Sequence, residues 1–222
     1  MKKIDLSDIV CIFTALMILV MTILSVLGTD RTPYKLWTGI LCAIFCLIPM
    51  AFRHANVMRL PLSLIVPIMA TLFLHAYGVL LMMYDDIVWY DTITHLAASI
   101  TIALLVFYAL AAVELFDSQT RFGKRIPLFV TLIMMTFSIY WEVLELVVDY
   151  TTGINMQYSP WDTIRDMVCN TIGTVMVTIP LRFYLKKHSL NEFIERLELS
   201  PSLKRMVTRE PKRTKKPVND DH

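Results

Sequence analysis

Six uncharged, largely apolar runs divide this chain: Ile9 to Leu27, Leu36 to Phe52, Leu60 to Tyr84 with only His75 as a titrating interruption, Leu96 to Val113, Ile126 to Trp141 and Met167 to Leu181. A helix rising about 1.5 Å per residue needs about 20 residues to cross roughly 30 Å of hydrocarbon. The runs therefore predict six transmembrane helices, and an all-α, polytopic membrane protein. Composition agrees: 56% of the residues are apolar and the mean hydropathy is +0.57, above the roughly half-apolar make-up of a soluble domain.

The fifth and sixth runs are too short to cross unless the charged residues beside them are included. Their acids must then share the membrane. Counted from Ile126 at about 1.5 Å per residue, Glu142 lies about 24 Å along the fifth helix, a turn or more below the interface, with Glu145 nearer to it. The first run follows a basic start, Met1, Lys2 and Lys3. Its apolar stretch is long and no small-x-small cleavage site follows, so it reads as a retained span rather than a signal peptide.

Basic residues set the expected orientation. Lys2 and Lys3, Arg53 and Arg59, Arg121 with Lys124 and Arg125, and the tail after Arg182 fall on one side, against Arg31, Lys35 and Arg165 on the other. The positive-inside rule then places both termini in the cytoplasm of a cell membrane, with the loops at Asp30, 84–91 and 149–162 facing outward. Two regions are expected: a six-span membrane domain over 1–185, and a cytoplasmic segment over 186–222. Within the latter, Ser189 and Glu192 form a capping-box pattern, and Leu190, Phe193, Ile194 and Leu197 recur at helical spacing as in an amphipathic helix on the inner surface. The charged, proline-bearing stretch from Arg209 reads as disordered, and its cluster Lys212, Arg213, Lys215 and Lys216 suits anionic headgroups or a topology anchor.

Three stretches place ionisable groups where a membrane chain tolerates them least. Asp91 and His95 stand one helical turn apart at the start of the fourth span; Glu142, Glu145 and Asp149 make an acidic stripe at the end of the fifth; Asp162, Asp166 and Asn170 repeat every fourth residue into the sixth. Gly173 continues that last stripe at a point where a neighbouring helix can approach closely. Ionisable groups at membrane depth cost a few kcal/mol unless they face one another, water or an ion, so the three stretches are expected to converge on one site. Arg165 is the only nearby strong base. The excess negative charge calls for a divalent cation or for shared protons, and oxygen-rich ligation with one imidazole suits Mg²⁺, Mn²⁺ or Ca²⁺, with Zn²⁺ or iron also compatible. A plain polar core that packs helices is the competing expectation.

The candidate metal ligands are Asp91, His95, Glu142, Glu145, Asp162, Asp166 and Asn170, and the candidate catalytic groups are His95, Glu142 and Asp166. His75 reads as a helix-to-helix hydrogen-bonding residue able to face the same cavity. Trp89, Tyr90, Tyr158 and Trp161 read as an aromatic belt. Cys11, Cys42, Cys46 and Cys169 lie within spans and read as packing residues rather than a disulfide framework. Neither a nucleotide-binding glycine loop nor an internal repeat is present, so nucleic acid is not an expected partner. The expected partners are the bilayer and a lipid or cell-envelope substrate.

The ordered set of Asp91 and His95, then Trp141, Glu142 and Glu145, then W-D-x-x-x-D-M-x-x-N-x-x-G from Trp161 to Gly173, resembles the YjdF-like membrane proteins and, more distantly, VanZ-like proteins. The likeness runs from about Tyr84 to Pro180. It implies a multi-span protein whose acidic and histidine positions are those named above. The glycine expected four residues after the histidine is Ser99 here, and the aromatic after the second glutamate is Leu146. The VanZ-like association with lipoglycopeptide susceptibility points toward the cell envelope.

Overall fold

A computed structural model describes residues 4–28, 32–116, 122–153, 157, 159–190, 194 and 197–207. The described chain is almost wholly helical: α1 (Leu6–Leu27), α2 (Pro33–His54), α3 (Leu62–Leu80), the short α4 (Met83–Asp86), α5 (Tyr90–Phe116), α6 (Ile126–Thr152), α7 (Pro160–Tyr184) and α8 (Pro201–Val207). A 3₁₀ turn, Gly123–Arg125, leads into α6, and two short strands, β1 (Met58–Arg59) and β2 (Glu198–Leu199), pair antiparallel with Met58 opposite Leu199. The basic tail from residue 208 and most of the segment around Glu192 and Phe193 lie outside the described residues.

Local chemistry explains where the long helices start and stop. Asp5 caps α1 by accepting the Asp8 N–H, and Asp8 returns the bond to complete a capping box. Pro33 opens α2 and Pro160 opens α7, each in the first turn where its missing N–H costs nothing. Ser159 caps α7 through the Asp162 N–H. Gly153 closes α6 with φ of 72°, a left-handed conformation that glycine adopts without penalty. At the opposite end of the bundle, the Glu114 carboxylate accepts the N–H groups of Phe122 and Gly123, which ties the end of α5 to the start of α6.

Five helical segments, α1, α2, α3, α5 and Gly123–Thr151, are both long and apolar enough to cross a bilayer. The sixth, α7, is 25 residues long but carries Asp162, Arg165, Asp166, Asn170 and several threonines, which make it too polar to read as a span by composition alone. It packs between α5 and α6. The third run also departs from expectation. It does not continue to Tyr84 but ends at Leu80, because Met82 turns left-handed with φ of 57° and folds α4 back toward α3.

The helices pack as two trios, α1–α2–α3 and α5–α6–α7, joined along α3 and α5. Between helices in lipid there is little hydrophobic driving force, so close approach of small side chains matters most. The first trio meets through Cys11, Ala15, Cys42, Ala43 and Cys46, all buried. The thiols are free and act there as small apolar packing groups. The second trio closes around Phe107, Ala111, Val130, Met134 and Val177, and the chain after α7 adds Ile194 and Leu197 to that core. Large hydrophobic side chains such as Phe13, Leu24, Leu128 and Met176 point outward, as expected for surfaces that face acyl chains.

At the end carrying the N-terminus, a compact ionic knot joins α1, α2 and the strands. Asp8, 1% exposed at its side chain, pairs with Arg53 and stands 3.3 Å from His54 Nε2. Arg53 and Arg59 both reach Asp5 at 3.0 Å, and Arg59 also meets Glu198 at 3.2 Å.

Gly173 fixes the approach of α5 and α7. A Cβ there would stand 2.9 Å from the Leu96 carbonyl oxygen and 2.9 Å from the Ser99 Cβ. Backbone cannot yield as a flexible side chain can, so Gly173→Leu is expected to wedge the pair apart and cost about 1–3 kcal/mol of overpacking strain. A lowered thermal midpoint in detergent checks this. An unchanged midpoint would mean that the interface tolerates the added volume.

Candidate functional site

The start of α5, the end of α6 and the start of α7 meet at one end of the bundle, and each brings its stripe of polar residues inward. On α5, Asp91, His95 and Ser99 follow one another at four-residue steps. His95 Nε2 lies 3.5 Å from Asp91 Oδ1 and 4.0 Å from Glu145 Oε1, so the imidazole bridges α5 and α6. Asp91, His95 and Asp166 each present a ligand atom within 4.8 Å of the others. These three are the tightest grouping of metal-ligating side chains among the described residues.

The other sequence-derived candidates surround that group in distinct roles. Glu145 accepts a 2.7 Å hydrogen bond from the Trp141 indole N–H, which orients its carboxylate toward His95. Asp162 pairs with Arg165, and Arg165 Nε stands 3.8 Å from Asp166 Oδ1. Asn170 does not join the charged group. Its amide accepts from Ser99 Oγ at 2.6 Å and donates to Ser138 Oγ at 3.0 Å, a chain that crosses three helices. Glu142 is 6% exposed, and both of its carboxylate oxygens are buried without a hydrogen bond. Gln157 and Thr163 lie beside it as side-chain donors too far for a well-formed hydrogen bond, and they bond each other at 2.8 Å. Asp166, 2% exposed, likewise keeps Oδ1 without a hydrogen bond. Buried carboxylate oxygens without a hydrogen bond are expensive.

Asp149 lies apart, accepting the Gln157 N–H at 2.8 Å and fastening the turn after α6. Asp85 and Asp86 are exposed on α4. Trp89 and Trp161 are exposed as interfacial aromatics should be, and Tyr158 lies outside the described residues. Tyr90 departs from the belt: it is buried, its hydroxyl donates to the Leu74 carbonyl at 2.6 Å, and its ring stands edge-on to Tyr84. The tyrosine pair lies against Gly78, where a Cβ would stand 2.4 Å from the Tyr84 ring.

Beside the acidic group lies a cavity of about 630 Å³, bounded by α2, α3, α4, α5 and α6 with Asn170 of α7. Asp91, His95, Glu145 and Asn170 reach it from the site, and Lys35 and His75 from the other trio. His75 Nδ1 stands 3.0 Å from the Tyr84 hydroxyl. Burial pushes the Tyr84 phenol above the usual tyrosine range, so it stays a neutral hydrogen-bond partner for the histidine.

Sequence reasoning passed over Ser138, Tyr84 and Lys35. Ser138 had a readable signal, since it precedes Glu142 by four residues on the same helical face. Tyr84 and Lys35 had none. They reach the site through the turn at Met82 and the packing of α2, which no local pattern encodes. The serine chain yields a modest prediction: Asn170→Leu removes both of its hydrogen bonds and is expected to cost about 0.6–1.7 kcal/mol. Thermal denaturation in detergent, beside Ser138→Ala, measures it.

A helical bundle with apolar outer faces and an internal His/carboxylate group defines an all-α, multi-pass membrane protein with a buried polar site. The chain belongs to the family described as predicted membrane protein DUF2238, whose sequence model matches residues 10–187. No curated protein and no solved structure matches it.

Proposed function

We propose that the acidic end binds a divalent cation and uses it on a phosphoryl or ester oxygen of a lipid or cell-envelope component, with the site opening to the outer leaflet and both termini cytoplasmic. The observation that carries this reading is the convergence of Asp91, His95 and Asp166, from two helices, to ligand atoms within 4.8 Å. Once Asp162 is paired with Arg165, the carboxylates of Asp91, Glu142, Glu145 and Asp166 face one imidazole. A cation would offset that charge and meet oxygens of Asp166 and Glu142 that no hydrogen bond reaches. Mixed oxygen and imidazole ligation suits a hard or borderline ion. Bound there, the ion would act as a Lewis acid, and a Glu142 oxygen not engaged by it would accept a proton from an attacking water.

A second reading rests on the Ser99–Asn170–Ser138 chain, which joins α5, α6 and α7 and has the form of a packing network. In that reading the acids also serve only to hold helices together. Elemental analysis of the detergent-purified protein separates the two. Near-stoichiometric metal in the parent, lost from His95→Ala and Glu142→Gln, with a thermal midpoint lowered by EDTA and restored by added ion, is the expected result. A metal-free parent with no ion-dependent stabilisation sinks the cation reading and leaves the packing network.

A further inference from the structure

The cavity beside the site is two-ended. Its walls on α5 run from Asp91 to Ile102, a rise of about 16 Å at 1.5 Å per residue. One end is charged, with Asp91, His95, Glu145 and Lys35; the far end is mostly apolar, with Leu72, Ile102, Met134 and Phe137 beside Thr71 and Ser99. It is also open at the side. Tyr34 of α2 and Phe137, Tyr140 and Trp141 of α6 line the cavity, yet they are 37%, 47%, 59% and 42% exposed. The closely packed helix pairs do not include α2 with α6 among the described residues. The cavity is therefore continuous with the bilayer through a slot between those two helices.

We propose that this slot admits a lipid with a phosphate head and a single hydrocarbon chain, taken sideways from the membrane, the chain lying in the apolar end and the phosphate at the charged end. The inference rests on the cation reading for what the head meets. Three features argue for this occupant. A ligand that enters from lipid must carry an apolar part, and the lining from Leu72 to Phe137 suits one. The volume of about 630 Å³ lies mid-range for sites that enclose a small ligand, roughly 300–1,000 Å³, and suits one chain rather than a two-chain lipid body. At the charged end, a cation held by Asp91, His95 and Asp166 would give a positive centre for the phosphate.

Ala98 lines the cavity between His95 and Ile102 and belongs to none of the charged groups, so it offers a clean test. Native mass spectrometry of the full chain in detergent, loaded with Mn²⁺, would follow adducts of palmitoyl lysophosphatidate, farnesyl monophosphate, two-chain phosphatidate and inorganic phosphate. The expected result is retention of one or both single-chain phosphates, at least tenfold above phosphatidate. Which of the two binds more tightly distinguishes a glycerolipid from an isoprenoid source. Ala98→Phe should lose the single-chain adduct at least tenfold while keeping bound Mn²⁺ and the thermal midpoint. Ile102→Trp, deeper in the cavity, serves if Ala98→Phe does not fold. Undiminished lipid retention in a folded, cavity-filled variant overturns the proposal, as does equal retention of phosphatidate. Single-chain lipid bound without any Mn²⁺ would instead remove the cation reading and leave the chamber standing.

Discussion

Arg53→Met is expected to destabilise the protein by about 3–5 kcal/mol, the cost of removing one partner from a buried ion pair. Asp8 is almost wholly covered, 1% exposed at its side chain, and Arg53 is its principal counter-charge. The His54 imidazole at 3.3 Å is itself 38% exposed. Loss of the guanidinium therefore strands a carboxylate between α1 and α2, and it also frees Asp5 from one of its two arginines. Thermal denaturation of the variant in detergent measures the loss. The double variant Asp8→Leu/Arg53→Met should recover most of it, since replacing both partners by apolar groups removes the unpaired charge. A single variant within about 0.5 kcal/mol of the parent, the usual span of a surface substitution, would show that water or His54 solvates Asp8 well enough to make the arginine dispensable.

Glu142→Gln should move stability in opposite directions depending on metal. In EDTA the parent holds a buried carboxylate with two oxygens that lack a hydrogen bond, and conversion to a neutral amide, which removes the charge but keeps a buried polar group, is expected to raise the thermal midpoint. With a divalent ion at a hundred times its dissociation constant, the parent should gain about 2.7 kcal/mol from binding to the folded state alone. The variant should gain much less. Crossing thermal midpoints, variant above parent in EDTA and parent above variant with ion, are the expected signature. A variant that is less stable in both conditions would mean that Glu142 is held by interactions a carboxylate alone can make, and the packing reading of the site would then take precedence.

Helix existence and the polar stripes were both legible from sequence, for the same reason. A membrane helix satisfies its own backbone, so its length and its apolar content are written in consecutive residues. Side chains four apart share a face in any α-helix, which is why Asp91 groups with His95, and Asp162 with Asp166 and Asn170, from their positions along the chain. Gly173 was readable too, as a small residue on a polar face where α5 approaches. Element ends were less so. The third run reads as continuous through Tyr84, but the left-handed turn at Met82 depends on how α4 folds back, with Tyr84 reaching His75 and Tyr90.

The roles within the acidic set were not legible. Spacing alone made Asn170 equivalent to Asp166, yet Asn170 bonds two serines and Asp166 stands with Asp91 and His95. Hydroxyl partners on other helices decide that difference, and one of them, Ser99, occupies the place where the resemblance led one to expect glycine. Nor did the pattern separate Tyr90 from Trp89, though one is buried and the other exposed. Arg53 and Arg59 could be read for their effect on orientation; their partners, Asp5, Asp8 and Glu198, come from segments distant in the chain.

The sequence by itself determined a helical membrane protein, the faces on which its ionisable groups stand, and the crowding of those groups at one end. Only the tertiary structure decided which three side chains meet, which carboxylates lack partners, and that a cavity opens between α2 and α6. The reason is the solvent. In lipid, apolar surface carries almost no information about which helices pair, so the arrangement is settled by small-residue contacts and interhelical polar bonds, and these become visible only once the helices are in place.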